Sequence, residues 1–264
     1  MRKVYRDKNN PDYWEKRWED SGVDNDEFKN FDIYPIKYTN MVVTAKNQKI
    51  LEAGCGAGRV YFHYKNLGYD IHGIEYSKIA VKNILEKDKS AKVQHGSITE
   101  LPYADNSFDV LLALGLYHNL EDEKDLEKSF SETARVLKTG GKLLASVRFD
   151  SFENNLIEYI VHKRNENKTY DQFHRVHFDI ASLDKYLSDN KLKRTKLMYA
   201  RNVSFLFKFD FFRSKQMKSN AFKESEARSK GFKLNWLGTN LDKFLHKFFP
   251  KIFSNIIIII AEKV

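Results

Sequence analysis

A regular alternation of apolar strand segments and helical segments begins near residue 49 and most constrains how this chain folds. Short runs rich in Ile, Leu and Val are separated by amphipathic stretches of helical length. Because such runs are typical of strands buried on both faces, the pattern predicts a mostly parallel sheet covered by helices. We therefore predict an α/β, Rossmann-like fold with C-terminal insertions, whose last strand, IIIIIAEKV, is antiparallel.

The first unit of this alternation is KILEAGCGAGR, from Lys49 to Arg59, which predicts a strand, a glycine turn and a helix that begins near Ala57. Gly54, Gly56 and Gly58 lack a Cβ, so the backbone approaches a ligand closely. The helix start adds free N–H groups and a positive dipole end. A Walker-type phosphate loop requires Lys followed by Ser or Thr, and a dinucleotide fingerprint requires G-x-G-x-x-G. This turn has neither pattern, but its backbone is suited to hold a small ligand.

The sequence outside the alternation predicts further parts of the chain. An N-terminal helix between Pro11 and Gly22 carries Tyr13, Trp14 and Trp18 within one turn of each other, either as core residues or as a lid over a ligand. We divide the chain into a lid helix region (1–43), a ligand-binding core (44–201), a basic aromatic insertion (202–254) and the final strand (255–264).

The net charge of +9 is unevenly distributed. Residues 1–150 carry 23 basic and 24 acidic side chains, whereas residues 151–264 carry 22 basic and 12 acidic side chains. A basic C-terminal half favours an anionic partner such as an acidic or phosphorylated substrate, RNA or an anionic membrane surface. A solvated basic face is the alternative.

Cysteine use and hydropathy bear on the compartment. The single cysteine, Cys55, excludes an intramolecular disulfide and favours a reducing compartment. The longest apolar run, Ile256–Ala261, is far shorter than the roughly 20 residues that span a bilayer. We predict a cytoplasmic protein, with peripheral contact to a membrane as an open alternative.

An apolar stripe near the C-terminus predicts an amphipathic helix, which Pro250 is expected to bend. Such a helix packs either on its own domain or against a membrane, a lipid or a protein partner. The stripe consists of Leu241, Phe244, Leu245, Phe248, Phe249, Ile252 and Phe253.

Four segments resemble the class I S-adenosylmethionine-dependent methyltransferases. They are EAGCGAG (52–58), the strand end at Glu75, GSITELPYADNSFDVLLALGLYHNL (96–120) and ARVLKTGGKLLASV (134–147). Together they cover roughly Ile50 to Val147 in the order and spacing of that family. The resemblance implies a Rossmann-like core that binds S-adenosylmethionine, and no metal site is predicted.

The resemblance also implies which residues contact the cofactor. Glu52 and the carbonyls near Leu114 and Gly115 are expected to face the amino group of the methionine moiety. Glu75 is expected to accept hydrogen bonds from both ribose hydroxyls. The adenine is expected to lie between Tyr76 and Ile98, and Ser97 replaces the acidic residue that usually meets its amino group. The complete predicted set is Glu52, Ala53, Gly54, Cys55, Gly56, Gly58, Arg59, Glu75, Tyr76, Ser97, Ile98, Leu114 and Gly115.

Methyl transfer requires alignment of the acceptor with the methyl group and, for a hydroxyl or ammonium acceptor, a base. Tyr117 and His118 follow the fourth strand, where the methyl group is expected to emerge, and Asn119 replaces the second histidine of a pair that many relatives have. His174, which lies beside Arg175 and near His177 in YDQFHRVHF, is the second candidate base. The predicted catalytic residues are Tyr117, His118 and His174.

The predicted function is methyl transfer to an O or N of a small-molecule, glycan or lipid-linked acceptor. The basic, aromatic C-terminal half keeps a tRNA or other RNA methyltransferase as an alternative. A non-catalytic protein that binds the cofactor is a further alternative. A nicotinamide-dependent dehydrogenase is disfavoured, because the glycine spacing is wrong and Glu52 would repel a pyrophosphate.

Overall fold

The computed structural model of the protein describes residues 1–6, 14–15, 18–19, 34–164, 169–201, 203–215 and 232–264. The chain divides into two compact units. The first, here called the sheet unit, comprises Met1–Arg148, Thr169–Met198 and Ile258–Val264. The second, here called the helical unit, comprises Phe149–Lys168 and Tyr199–Ile257. The helical unit thus includes residues 149–168, which the sequence-based division placed in the core.

The sheet unit is built on a seven-stranded sheet with the order β4-β3-β2-β5-β6-β9-β8. Strands β2 to β6 run parallel to their neighbours, the last strands are antiparallel, and helices flank the sheet. The predicted α/β, Rossmann-like fold is therefore confirmed, including the antiparallel final strand. The strands of this sheet are β2 (Lys49–Ala53), β3 (Asp70–Glu75), β4 (Val93–His95), β5 (Phe108–Leu114), β6 (Leu137–Arg148), β8 (Leu192–Ala200) and β9 (Ile256–Lys263).

Helices connect these strands, and several begin with side-chain caps. Ser77 accepts a hydrogen bond from the Ala80 N–H at 3.2 Å, and Asp179 accepts one from the Ser182 N–H at 2.7 Å. Such caps satisfy N–H groups that have no partner inside the helix. The helices of the sheet unit are Tyr34–Thr39, Arg59–Asn66, Lys78–Lys87, Glu123–Val136 and Ile180–Asp189.

A two-stranded antiparallel sheet was not predicted. It pairs β1 (Arg2–Arg6) with β7 (Gln172–His177), and its register is shifted between Val4 and Tyr5. Strand β7 also packs against the 3-10 turn Tyr117–Asn119 that follows β5. The N-terminal residues therefore lie beside the carboxyl end of the main sheet.

The helical unit is held by polar contacts around a buried carboxyl group. Glu153 accepts a hydrogen bond from the Phe205 N–H at 2.9 Å and pairs with the Arg201 guanidinium at 3.1 Å. Burial raises the pKa of Glu153 to about 7 even so. The Asn154 side chain donates to the carbonyl oxygens of Phe149 at 2.6 Å and Asn255 at 3.0 Å.

The helices of this unit are Phe152–Arg164, two 3-10 turns at Phe205–Lys208 and Asp210–Phe212, and Trp236–Phe248. Residues 202 and 216–231 of the predicted insertion lie outside the described residues. Within the part of the chain that the structure describes, no helix is both long enough and apolar enough to cross a membrane.

Candidate cofactor-binding and active site

A cleft of about 1030 Å³ opens at the carboxyl ends of β2, β3 and β5. Ligand pockets usually measure roughly 300–1,000 Å³, so this cleft has room for a cofactor and a small second molecule. Parallel α/β sheets bind ligands at this edge. The residues of its wall come mainly from the turns after β2, β3 and β4, from the N-terminal helical residues and from the segment that follows β5.

The glycine turn forms one side of the cleft. The Gly54 N–H donates to the Ile74 carbonyl at 2.8 Å, which ties the turn to β3. Gly56 has φ 54°, and a Cβ at this position would lie 2.9 Å from the Trp18 ring. The turn therefore requires glycine both for its left-handed backbone and for the close approach of an aromatic ring. The following helix begins at Arg59, two residues later than predicted.

Glu75 is fixed at the end of β3 by backbone donors. Its Oε2 accepts a hydrogen bond from the Gly56 N–H at 2.8 Å, and its Oε1 accepts one from the Ser77 N–H at 2.9 Å. Each carboxylate oxygen keeps a further lone pair. The carboxyl group therefore has acceptor capacity for the two ribose hydroxyls that the resemblance assigns to it.

Glu52 is a buried carboxyl group of the cleft with an oxygen that no described residue satisfies. It is buried, and no partner for its Oε2 is found among the described residues. Burial raises the pKa of Glu52 to about 8. A buried acceptor without a partner is costly unless a ligand supplies the donor. Glu52 therefore fits the ammonium group of the methionine moiety, as predicted.

Three residues of the N-terminal helical segment line the cleft. The Trp14 and Trp18 rings stack with a centroid distance of 5.8 Å. The Ser77 hydroxyl donates to Glu15 Oε2 at 3.0 Å, and the Asn83 amide donates to the Trp18 carbonyl at 3.3 Å. The lid interpretation is compatible with these positions and stays a prediction, while Tyr13 lies outside the described residues.

Tyr76, Ser97 and Ile98 all line the cleft, and their contact with adenine stays a prediction. Ile98 is buried and Tyr76 is 68% exposed, so one side of this wall is open to solvent. The Ser97 hydroxyl shares a hydrogen bond of 2.8 Å with the Thr99 hydroxyl, a partner that the sequence analysis did not identify.

At the end of β5, Leu114, Gly115 and Asn119 line the cleft. The Asn119 side-chain amide donates to the Gly115 carbonyl at 2.7 Å, so one lone pair of this carbonyl is already used. Asn119 thereby fixes the loop that carries the predicted contacts to the amino group. Of the remaining predicted residues, Cys55 and Arg59 also lie in the wall, whereas Ala53 and Gly58 do not.

The structure places Tyr117 in the core of the sheet unit and not in the cleft, which corrects the expectation that it takes part in the chemistry. Its ring is fully buried and stacks on Phe130 with a centroid distance of 4.3 Å. Its hydroxyl shares a hydrogen bond of 2.7 Å with Thr133, and burial raises its pKa well above the usual range. A hydroxyl in this position has no access to an acceptor.

Neither candidate histidine belongs to the wall of the cleft. His118 lies directly behind it, because its Cε1 would be 3.7 Å from a Cβ on Gly115. Burial, together with Arg148 and Arg175, lowers the pKa of His118 well below its usual value. Burial and the same two arginines, with Arg6, lower the pKa of His174 to about 2, and its Nε2 contacts the Arg175 guanidinium. Both rings are therefore neutral at physiological pH.

One part of the cleft wall is acidic, a feature that the sequence did not lead us to predict. The wall there consists of Glu121, Asp122, Glu123 and Asp125. The sequence signal was the run EDEKD (121–125) directly after Leu120, at the start of the helix Glu123–Val136. Lys3 of β1 and Phe173 of β7 complete this side and depend on a strand pair that local pattern does not predict.

A comparison with protein families identifies the domain around this cleft. The family model described as a methyltransferase domain matches residues 51–145. These residues form a class I methyltransferase domain. The match covers the glycine turn, Glu75 and the strand end before His118, so the resemblance seen in the sequence is confirmed. S-adenosylmethionine is the cofactor of this family.

Individual relatives agree with the domain and differ in their acceptors. Demethylmenaquinone methyltransferase of Renibacterium salmoninarum is 31% identical over 119 residues, which are 43% of this chain and 48% of the relative. Phosphoethanolamine N-methyltransferase of Triticum aestivum is 29% identical over 116 residues, 42% of this chain and 22% of the relative. The chain therefore spans less than half the length of these curated relatives.

Solved structures show the same fold. A SAM-dependent methyltransferase from Methanosarcina mazei superposes with a TM-score of 0.59 and 16% sequence identity, covering 88% of this chain and 99% of the other. At this identity the likeness shows the fold alone.

Proposed function

We propose that the protein transfers a methyl group from S-adenosylmethionine to an O or N of a small-molecule, glycan or lipid-linked acceptor. The observation that carries the proposal is Glu52, whose buried carboxyl oxygen has no partner among the described residues at the side of the glycine turn. A cationic ammonium group satisfies this oxygen, whereas a pyrophosphate is repelled by it.

The other cofactor contacts follow from the same wall. Glu75 binds the ribose hydroxyls with the lone pairs that Gly56 and Ser77 leave open. Tyr76 and Ile98 hold the adenine ring. The bound cofactor supplies a methyl group on a positively charged sulfur. The protein positions the acceptor in line with this group, which is the main requirement of the reaction.

The acidic side of the cleft supports a small acceptor over RNA. Glu121, Asp122, Glu123 and Asp125 line the space next to Asn119, where an acceptor would enter. These carboxylates repel a phosphate backbone and tolerate a neutral or cationic acceptor. The basic charge of the chain's second half does not change the sign of this local surface.

His118 is the base that we propose for the proton of the acceptor. Its Nδ1 has no partner among the described residues, and its ring lies against Gly115, which lines the cleft. His174 is the weaker candidate because its Nε2 already contacts Arg175. Burial and the nearby arginines lower the pKa of His118, so its ring is unprotonated in the free protein, and the same shift makes it a weak base until an acceptor is bound.

Two experiments test the function. Calorimetry with S-adenosylhomocysteine and with NAD tests the cofactor, and tight NAD binding without a response to S-adenosylhomocysteine would overturn the proposal. Incubation with methyl-labelled cofactor and fractionated cell extract tests the acceptor. Label in the small-metabolite, polysaccharide or lipid fraction supports the proposal, whereas label confined to RNA refutes the assignment of the acceptor.

A matched pair of variants tests the base. We expect His118→Ala to lower turnover by about 100-fold or more at saturating cofactor, the usual range for a lost general base. His174→Ala is expected to retain most of the activity. Equal turnover of His118→Ala and the wild type would exclude His118.

A further inference from the structure

The helix Trp236–Phe248 of the helical unit is oriented by polar contacts on its inner side. Asp242 contacts the Arg201 guanidinium, and His246 Nδ1 lies 3.1 Å from the Ser254 hydroxyl oxygen. Gly238 is buried, and a Cβ there would lie 3.0 Å from the Phe212 carbonyl. The Asn235 side chain caps the helix by accepting from the Gly238 N–H at 2.8 Å. These contacts determine which side of the helix is exposed.

The opposite side of this helix is apolar and exposed. Trp236 is 79% exposed, Phe248 59% and Phe244 51%. Leu237, Phe244 and Phe248 recur at i, i+7 and i+11, so they form one stripe. We call the exposed set Trp236, Leu237, Phe244, Phe248, Phe249 and Ile252 the aromatic face.

The aromatic face is continuous with further rings of the same unit. The Phe244 centroid lies 4.9 Å from that of Phe248 and 6.3 Å from that of Phe249. Phe249 contacts Phe253 at 6.5 Å, and Phe253 contacts the exposed Phe152 at 6.1 Å. Contiguous exposed apolar patches mark interaction sites on soluble proteins. Four residues of the predicted stripe, Phe244, Phe248, Phe249 and Ile252, are therefore exposed, whereas Leu241, Leu245 and Phe253 are half-buried.

Lysines border this face. Lys243, Lys247 and Lys251 are exposed, and Lys247 Nζ lies 5.5 Å from the centroid of the Phe248 ring. The acidic residue of this helix, Asp242, is on the inner side with Arg201. Exposed charge next to the aromatic face is thus positive along this helix.

We propose that the aromatic face docks on the surface of an anionic lipid bilayer, with the helix Trp236–Phe248 parallel to the membrane plane. Apolar side chains flanked by lysines are the pattern of helices that lie in the interface, where rings enter the acyl boundary and ammonium groups meet lipid phosphates. Leu237 and Ile252 add aliphatic surface, which favours lipid over the base stacking that RNA requires. This inference is independent of the methyltransferase activity.

Vesicle flotation of the full chain tests the proposal. Wild-type protein is expected to float with vesicles of phosphatidylcholine mixed with phosphatidylglycerol and to bind pure phosphatidylcholine at least about tenfold more weakly. The variant Phe244→Ser/Phe248→Ser is expected to lose at least about tenfold in partitioning. The control Leu67→Ser removes a side chain of the sheet unit that is equally exposed, at 51%, and is expected to bind like the wild type.

Two further experiments test the contribution of the lysines to vesicle binding and the depth to which Trp236 enters the bilayer. We expect Lys243→Gln/Lys247→Gln/Lys251→Gln to lose the preference for anionic vesicles, whereas the control Lys82→Gln/Lys89→Gln/Lys185→Gln keeps it. Trp236 fluorescence is expected to shift to the blue on binding and to be quenched by brominated lipid, and a Trp236→Phe variant identifies its signal. Thermal unfolding and S-adenosylhomocysteine binding of each variant show that the fold is intact.

Three results would overturn the proposal. The first is a folded wild-type protein that stays with the soluble fraction at every anionic lipid content. The second is equal flotation of the wild type and Phe244→Ser/Phe248→Ser. The third is a loss, in that variant, of tRNA binding or of self-association while vesicle binding is unchanged, which would assign the aromatic face to RNA or to a second copy.

Discussion

The two units each bury a glutamate, but the surroundings of the two carboxyl groups differ. Glu153 in the helical unit has the Phe205 N–H and the Arg201 guanidinium as partners. Glu52 in the sheet unit has an oxygen without a partner among the described residues. Burial raises both pKa values, to about 7 and about 8. Burial therefore does not distinguish the two glutamates, whereas an unsatisfied acceptor at the wall of a cleft distinguishes Glu52.

The largest effect is expected when the satisfied carboxyl loses its partner. Arg201→Ala leaves Glu153 and Asp242 without their cation, and we expect the free energy of unfolding to fall by about 3–5 kcal/mol. Chemical denaturation measures it. The control Arg194→Ala breaks a more exposed pair with Asp184, and a loss of less than about 1 kcal/mol is expected there. Equal losses in both variants would contradict a special role for the buried pair.

Removing the charge of the unsatisfied carboxyl is expected to act on the cofactor and not on the fold. We expect Glu52→Gln to weaken S-adenosylhomocysteine binding by about 2–3 kcal/mol, roughly 30- to 150-fold, because an ammonium group loses its anion. Its unfolding free energy is expected to be unchanged or higher. Calorimetry measures the affinity, with the exposed Glu86→Gln as control. An unchanged dissociation constant would exclude Glu52 as the contact.

Gly56 in the glycine turn and Gly68 after the next helix both have a left-handed backbone, so the effects of substituting them can be compared. Gly56 has φ 54° and a Trp18 ring 2.9 Å from the position of a Cβ, whereas Gly68 has φ 79° and nothing within 4 Å. Gly68→Ala is expected to cost about 1–2 kcal/mol of stability from backbone strain alone. Gly56→Ala is expected to cost more and, unlike Gly68→Ala, to weaken cofactor binding. Parallel denaturation and calorimetry of both variants would reveal whether the approach of Trp18 matters.

The smallest expected effect is the pH dependence of the affinity for S-adenosylhomocysteine. Burial raises the pKa of Glu52 to about 8 from an ordinary value of 4.5. The protonated carboxyl group therefore stabilises the cofactor-free fold relative to the unfolded chain, and this contribution is complete below pH 4.5. It is lost as the pH rises from 4.5 towards 8. Binding of an ammonium group favours the ionised carboxylate. We therefore expect affinity for S-adenosylhomocysteine to rise by up to tenfold between about pH 6.5 and 7.5. Calorimetry across this range checks the slope, which should vanish in Glu52→Gln.

The local sequence pattern was sufficient to predict the positions of those site residues that lie on a strand, on the turn after it or on the next helix. Gly54, Gly56 and Glu75 lie at strand ends, where the order of apolar runs determines their position. The cleft therefore contains most of the predicted cofactor residues. Glu52, near the end of β2, lies in the cleft for the same reason, and its contact with the cofactor stays a prediction.

Other features depend on contacts between distant parts of the chain. Strand β1 pairs with β7 from the opposite end of the core domain, so neither has a strong local signal. Tyr117 turns into the core because the 3-10 turn directs its ring onto Phe130, which the spacing of Tyr117 and His118 does not reveal. The pKa of His118 is lowered first by burial and then by Arg148 and Arg175, and only the tertiary structure produces this burial and brings the arginines near.

The position of β9 has a consequence for how the chain folds during synthesis. This strand carries five consecutive buried isoleucines and lies between β6 and β8 in the sheet. Until residues 256–263 leave the ribosome, β6 and β8 each have an unpaired edge. Afterwards the isoleucine strand must insert between β6 and β8 before it pairs with a strand of another chain. Sheet closure is then a late, long-range step of the kind that folds slowly. We expect newly made protein to depend on chaperones during this interval more than the mature fold does.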